Sequence, residues 1–177
     1  MELEHAERIY EAAQEKRNWE HMSVDLTEKN CVLQYVQDAL QKREHGTDIA
    51  FVIVNKNTEK IIGATWFLDI SQQHKCLEIG STWINPNFWR TNINTNCKYL
   101  LLKYCFEELH LNRVQIKTGH ENFRSQKAIE RIGAVKEGIL RNHMIRKEGI
   151  IRHTVLYSVI KEEWAKVKKH FEEHLLN

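Results

Sequence analysis

The chain has 177 residues with 7 Gly, 1 Pro and 4 Cys, 42% hydrophobic and 28% charged, which suits one compact globular domain and excludes collagen-like and disordered chains. Its 26 Lys and Arg against 24 Asp and Glu give a net charge of +2 with no long block of either sign, so neither a phosphate-backbone footprint nor a nucleic-acid partner is indicated. The opening MELEHAERIYEAAQEKRNW is charged from its second residue and no stretch reaches about 18 apolar residues, so a soluble cytoplasmic protein with no membrane partner is expected.

In chain order, residues 3–17 carry Ala6, Ile9, Tyr10 and Ala13 at helical spacing, and residues 27–43 repeat the pattern with Val32, Tyr35, Val36 and Leu40; both read as amphipathic surface helices. Residues 48–55 and 60–70 are β-branched apolar runs separated by the NKNTEK turn, an antiparallel hairpin. A strand over 76–85 follows, then a loop, then a helix over about 95–109 with Cys97, Leu101, Tyr104, Cys105 and Leu109 on its apolar side. A short strand at 113–118 and a helix at 123–132 that Gly133 can end come next. Two long strands over 137–147 and 151–160 and a charged helix from 161 close the chain. Helices, three strands, helix, strand, helix, hairpin, helix fit one α/β domain, a mixed sheet with helices on its faces.

Cys31, Cys76, Cys97 and Cys105 show no C-x-x-C spacing, so neither disulfides nor a zinc site is proposed. His170 and His174 are spaced i,i+4, but HFEEH has Phe where a zincin needs Glu, and a solvated helix face is the better reading. His120, His143 and His153 fall on or near the later strands, where surface or structural roles are favoured over lining an acceptor pocket.

The most informative stretch is NPNFWRTNINTN, residues 85–96, which holds the chain's single Pro, five Asn and no Gly. A strand entering a helix start through such a loop leaves unpaired amides at the positive end of the helix dipole, an anion site suited to a pyrophosphate. No Walker loop and no G-x-G-x-x-G is present. A polar turn capped by Asn94 or Thr95 is the plainer alternative.

Taken together, EIGSTWINPNFWRTNINTNCKYLLLKYCFEEL and ENFRSQKAIERIGAVKEGILR resemble the GNAT acetyltransferase superfamily, most closely its RimJ/RimL-like branch, over roughly residues 48–165. The resemblance implies a sheet splayed between strands 76–85 and 113–118, a coenzyme A pyrophosphate held by loop amides, and acetyl transfer from acetyl-CoA to a primary amine, either a protein N-terminal α-amine or a small-molecule amine, by direct attack. It implies no metal. The family's Q/R-x-x-G-x-G/A loop falls here on Trp89, Arg90, Thr91, Asn92, Ile93 and Asn94, with Thr95 following. Both glycine positions are Asn, which tolerates left-handed backbone better than other residues with a side chain. Arg90 can add a charge-assisted phosphate contact or stay solvated.

By the same resemblance, backbone amides of Trp83 and Ile84 would line the pantetheine, with plain core packing the alternative for the Trp83 side chain. Glu78 is the candidate base for the amine proton, or else an ion-paired carboxylate. Ser125 would relay or donate a proton and Asn122 would bond pantetheine or a water; helix capping is the alternative for both. The family's tyrosine acid on this helix is absent, because its position is Ile129. Relatives usually begin with an extra edge strand, whereas this chain opens almost directly with the helix; either the sheet lacks that strand or the chain is shortened, and an uncovered neighbouring edge would need shielding by side chains, a loop or a second subunit in a homodimer. The runner-up function is a coenzyme A-binding sensor or interaction module without turnover, and acetylation of an amine panel discriminates the two.

Overall fold

The computed structural model describes residues 1–146 and 149–176; residues 147 and 177, which end the expected strand over 137–147 and the closing helix, lie outside the described residues. The elements are α1 (Ala6–Ala12), α2 (Lys29–Glu44), β1 (Ile49–Val54), β2 (Ile61–Ser71), β3 (Cys76–Ile84), α3 (Ile93–Lys103), β4 (Arg113–Gly119), α4 (Phe123–Arg131), β5 (Val135–Ile145), β6 (Ile151–Ile160) and α5 (Trp164–His170). The strands form one mixed sheet in the order β1-β2-β3-β4-β6-β5. Among the described residues no helix is long and apolar enough to cross a membrane.

The chain divides into two compact units: Met1–Ile70 with Gly80–Thr91, and Ser71–Ile79 with the chain from Asn92 on. In the first, β1 and β2 pair antiparallel from Ile49 opposite Phe67 to Val54 opposite Ile61. Ile9, Ala13, Trp19, Val32, Tyr35 and Val36 bury the inner faces of the helices against Ala50, Ala64, Trp66 and Trp83. The opening helix is shorter than its periodicity predicts. It ends at Ala12, and a 3-10 turn occupies Lys16–Asn18. The Trp19 indole donates to the Ala13 carbonyl at 3.0 Å, taking an acceptor that a continuing helix would need.

β1 lies at one end of the strand order, and the Met1 amino group donates to the Ala50 carbonyl at 2.9 Å, satisfying one acceptor on that strand. Gly63 of β2 faces the β3 backbone so closely that a Cβ there would stand 2.3 Å from the Trp83 carbonyl oxygen. Only glycine fits such an approach. β3 itself bends at Ser81, whose φ is 46°.

In the second unit, β3 and β4 pair in parallel over three residues only, Cys76–Glu78 with Arg113–Gln115. β4 and β6 pair antiparallel along their length. β5 joins β6 with two register shifts, between Lys136 and Gly138 and between Leu140 and Met144. Gly133 follows α4 with φ +88°, as its place after the helical pattern predicts.

The face of α3 differs from the one its apolar residues suggest. Thr95, Lys98, Leu102, Cys105 and Phe106 are buried, while Tyr104 and Leu109 are exposed. A π turn over Tyr104–Glu108 carries one extra residue in the last turn, which shifts every side chain after Lys103 around the helix axis.

Candidate functional site

Trp83 is 3% exposed, its ring 5.3 Å from that of Trp19, so its side chain is core. The Ile84 carbonyl accepts from the Trp89 indole at 2.7 Å. The Thr91 hydroxyl donates to the Phe88 carbonyl at 2.7 Å, and the Arg17 guanidinium lies 5.9 Å from the Trp89 ring centroid. Arg90 is exposed and has a φ of 63°.

That last angle corrects the expectation for the loop. Asn92 has φ −74° and ψ −3°, and Asn94 is not among the residues with positive φ. The left-handed residue is Arg90, two positions earlier. Helix α3 also starts at Ile93 rather than near Thr95, with Asn92 at the N-cap and no side-chain cap. Neither Asn94 nor Thr95 caps it. The Asn92 carbonyl accepts from the Asn96 backbone amide at 2.8 Å and from its side-chain amide at 2.9 Å.

Within the second unit, Thr95 is 1% exposed and its hydroxyl accepts from Arg131 at 2.7 Å, which ties α3 to the end of α4. The Asn94 side-chain oxygen is buried without a hydrogen-bond partner. Asn94 and Thr95 lie in the first turn, where an amide has no acceptor four residues back inside the helix. An eleven-residue helix adds the positive end of its dipole there.

At the other helix start, Asn122 is the N-cap of α4, and its side chain accepts from the Ser125 amide at 3.0 Å. Capping therefore belongs to Asn122, and Ser125 is the capped residue. The Ser125 hydroxyl is left to other work.

Glu78 is 7% exposed and ion-paired, its carboxylate 2.7 Å from the Lys117 ammonium. The register explains the meeting. Glu78 lies opposite Gln115, and side chains two apart on a strand share a face, so Lys117 emerges beside it. Gly119 and its partner Thr154 continue that face, as does Arg152, two residues before Thr154. The field of Glu78 also reaches Lys98 on α3 and Arg152 on β6. Burial lowers the Lys98 pKa to about 8. Burial and the like charge of Arg146 lower that of Arg152 against the opposing pull of Glu78.

Sequence reading found Glu78 but not Lys98, Lys117 or Arg152. The alternation Arg113, Gln115, Lys117 in RVQIKTG was a legible signal for one polar face of β4. Lys98 escapes the hydrophobic pattern because the apolar residues of α3 point to a different side as the buried one.

The histidines are brought together more than their spacing implies. The His120 and His153 rings are 4.6 Å apart, the Asn142 amide donates to His153 Nδ1 at 2.9 Å, and His143 Nδ1 is 3.1 Å from the Thr154 hydroxyl. Ile129 is buried. Tyr157 donates to Glu130 at 2.9 Å, and burial with that bond pushes its pKa up to about 12. Tyr157 pairs with Ile116, one position off Lys117, so it lies on the opposite face from Glu78. Among the described residues there is no cluster of three or more metal-ligating side chains.

Chemically, the second unit offers a helix start fit for a phosphate and a buried carboxylate among cations. The family model described as an acetyltransferase (GNAT) domain matches residues 1–135. The uncharacterized N-acetyltransferase p20 of Bacillus licheniformis is 27% identical over 169 residues, covering 93% of this chain and 92% of its own. A GCN5-related N-acetyltransferase from Brucella melitensis superposes with a TM-score of 0.89 at 24% identity, over 97% of this chain and 78% of its own. The microcin C7 self-immunity acetyltransferase MccE, solved in complex with acetyl-CoA and AMP, gives 0.80 at 24% identity, over 89% and 88%.

Proposed function

Because the chain belongs to the GNAT acetyltransferase family, we propose that it transfers the acetyl group of acetyl-CoA to a primary amine by direct attack. The acceptor is a protein N-terminal α-amine, as the RimJ/RimL-like resemblance suggests, or a small-molecule amine. The observation that carries the reading is the first turn of α3. Its Asn94 and Thr95 amides lie in the first turn of an eleven-residue helix, where they have no acceptor four residues back, which supports a pyrophosphate at residues 92–95.

In this reading Glu78 takes the proton of the attacking amine, directly or through a water, while its ion pair with Lys117 orients the carboxylate. The new carbon–nitrogen bond forms as the thioester carbon–sulfur bond breaks, and the leaving thiolate takes a proton from water, directly or through the Ser125 hydroxyl, which passes its proton on as it takes one from water. Asn122 holds the turn that presents Ser125. Holding the two reactants together supplies much of the acceleration.

Titration calorimetry of the intact protein with acetyl-CoA, followed by assay of free CoA release against N-terminal peptides, amino acids, polyamines and aminoglycosides, tests the reading. Saturable binding and amine-dependent CoA release are expected. No heat for either CoA or acetyl-CoA would overturn it.

A further inference from the structure

Among the described residues, three cations gather around Glu78 in the second unit: Lys117, Lys98 and Arg152. Glu78 is paired with Lys117, and its field is shared with Lys98 and Arg152. A buried cation without a full set of acceptors is costly, and proteins keep such groups where something else completes them.

Arg152 is the group left incomplete. One terminal nitrogen donates to the Thr154 hydroxyl at 3.0 Å, while its Nε is buried with no hydrogen-bond partner. The side chain lies over Gly119, where a Cβ would come within 3.2 Å of the Arg152 Cδ. Glycine at that position gives the guanidinium its room.

We propose that the amine acceptor carries an anionic group, a carboxylate or a phosphate, which Arg152 binds on the Glu78 face. This inference rests on the acetyltransferase reading and narrows it. The guanidinium fork matches either oxyanion geometrically and gives stronger hydrogen bonds to a charged acceptor than to a neutral one. The same charge excess repels polycationic amines.

Initial rates of CoA release are measured with matched amines: leucine against leucinamide for the carboxylate, O-phosphoethanolamine against ethanolamine for the phosphate, and spermidine as the polycation. The anionic member of at least one pair is expected to exceed its neutral partner about tenfold or more in kcat/KM, the size of one charge-assisted bond, and spermidine to be the poorest. Which pair shows the effect identifies the group. Arg152→Gln should remove the difference by raising KM for the anionic amine, with the dissociation constant for CoA unchanged; Arg152→Lys should restore part of it and covers the case in which the glutamine variant does not fold.

Equal rates within both pairs, a preference that survives Arg152→Gln, or weakened CoA binding in that variant would each overturn the proposal. Transfer to neutral amines alone removes this inference and leaves the enzyme reading standing. Bound acetyl-CoA with no transfer to any of the five amines counts against both.

Discussion

The Glu78 carboxylate on β3 and the Lys117 ammonium on β4 meet at 2.7 Å with side chains 9% and 20% exposed, yet the two partners are not equivalent. Glu78 also stands in the fields of Lys98 and Arg152, whereas Glu78 is the anion those cations share. Removing the carboxylate strands the buried Lys98 and the half-buried Lys117 and Arg152; removing Lys117 leaves the carboxylate with cations still near it. Glu78→Gln should therefore destabilise by about 3 kcal/mol and Lys117→Met by about 1 kcal/mol, read from urea unfolding midpoints. Glu78→Gln should also lower turnover about 100-fold or more, the range of a lost general base, with CoA affinity nearly unchanged. Equal destabilisation by the two variants would show that Lys98 and Arg152 are too far away to matter.

At the start of α3, one substitution pulls stability and binding in opposite directions. Asn92 is the N-cap but makes no side-chain cap, and a carboxylate there can both cap and favour the helix dipole. Asn92→Asp should raise stability by about 0.5 kcal/mol while weakening CoA about tenfold through repulsion of the pyrophosphate. Thermal denaturation and calorimetry with CoA read the two effects separately. Unchanged affinity would move the phosphate site away from this helix. Asn92→Gly, by contrast, should change little, since a φ of −74° asks for no glycine. The residue that would gain is Arg90, whose left-handed φ of 63° costs about 1 kcal/mol that Arg90→Gly should recover.

Asn122 and Ser125 divide structure from chemistry at the next helix. The Asn122 side chain accepts the Ser125 amide, a bond that Ser125→Ala retains. Asn122→Ala should cost about 1 kcal/mol of stability, and Ser125→Ala should leave the denaturation midpoint in place. A fall in kcat for Ser125→Ala at an unshifted melting temperature would put the hydroxyl in the proton path. Full activity would leave protonation of the thiolate to water.

What the sequence made legible was periodic or punctuated. The β1–β2 hairpin was marked by its apolar runs and turn, and the end of α4 by Gly133. The Asn-x-x-Ser start of α4 was marked by its cap residue. What it hid depended on contacts that no hydrophobic period encodes. Trp19 ends α1 by taking the Ala13 carbonyl, and nothing local announces it. The buried face of α3 includes Thr95 and Lys98, two polar residues that a hydrophobic pattern assigns to solvent. Thr95 is held by Arg131, 36 residues later. At the loop, family-like spacing located the helix start to within two residues, but it placed the left-handed backbone on the asparagines when the chain bends at Arg90. Glu78 was found by its strand position, whereas its ion pair required the three-residue register with β4.

Lys98 gives the site a signature in the pH dependence of stability. It is 6% exposed, and burial lowers its pKa from 10.5 to about 8, with Cys97 and Glu78 pulling the other way. Below about pH 8 the lysine is protonated in both folded and unfolded chains, and the folded state bears the whole cost of the buried charge. Between about 8 and 10.5 the folded protein has released the proton that the unfolded chain still holds. The unfolded state then binds more protons, so the lysine's contribution to stability rises with pH across that window. Lys98→Met, close in volume and without charge, should be more stable than the native protein at pH 7, and its advantage should shrink steadily from pH 8 to 10.5. Urea midpoints for both proteins at pH 7, 9 and 10 measure the difference, which cancels the other groups titrating in that range. Parallel pH profiles would mean that the ammonium is not desolvated where it sits.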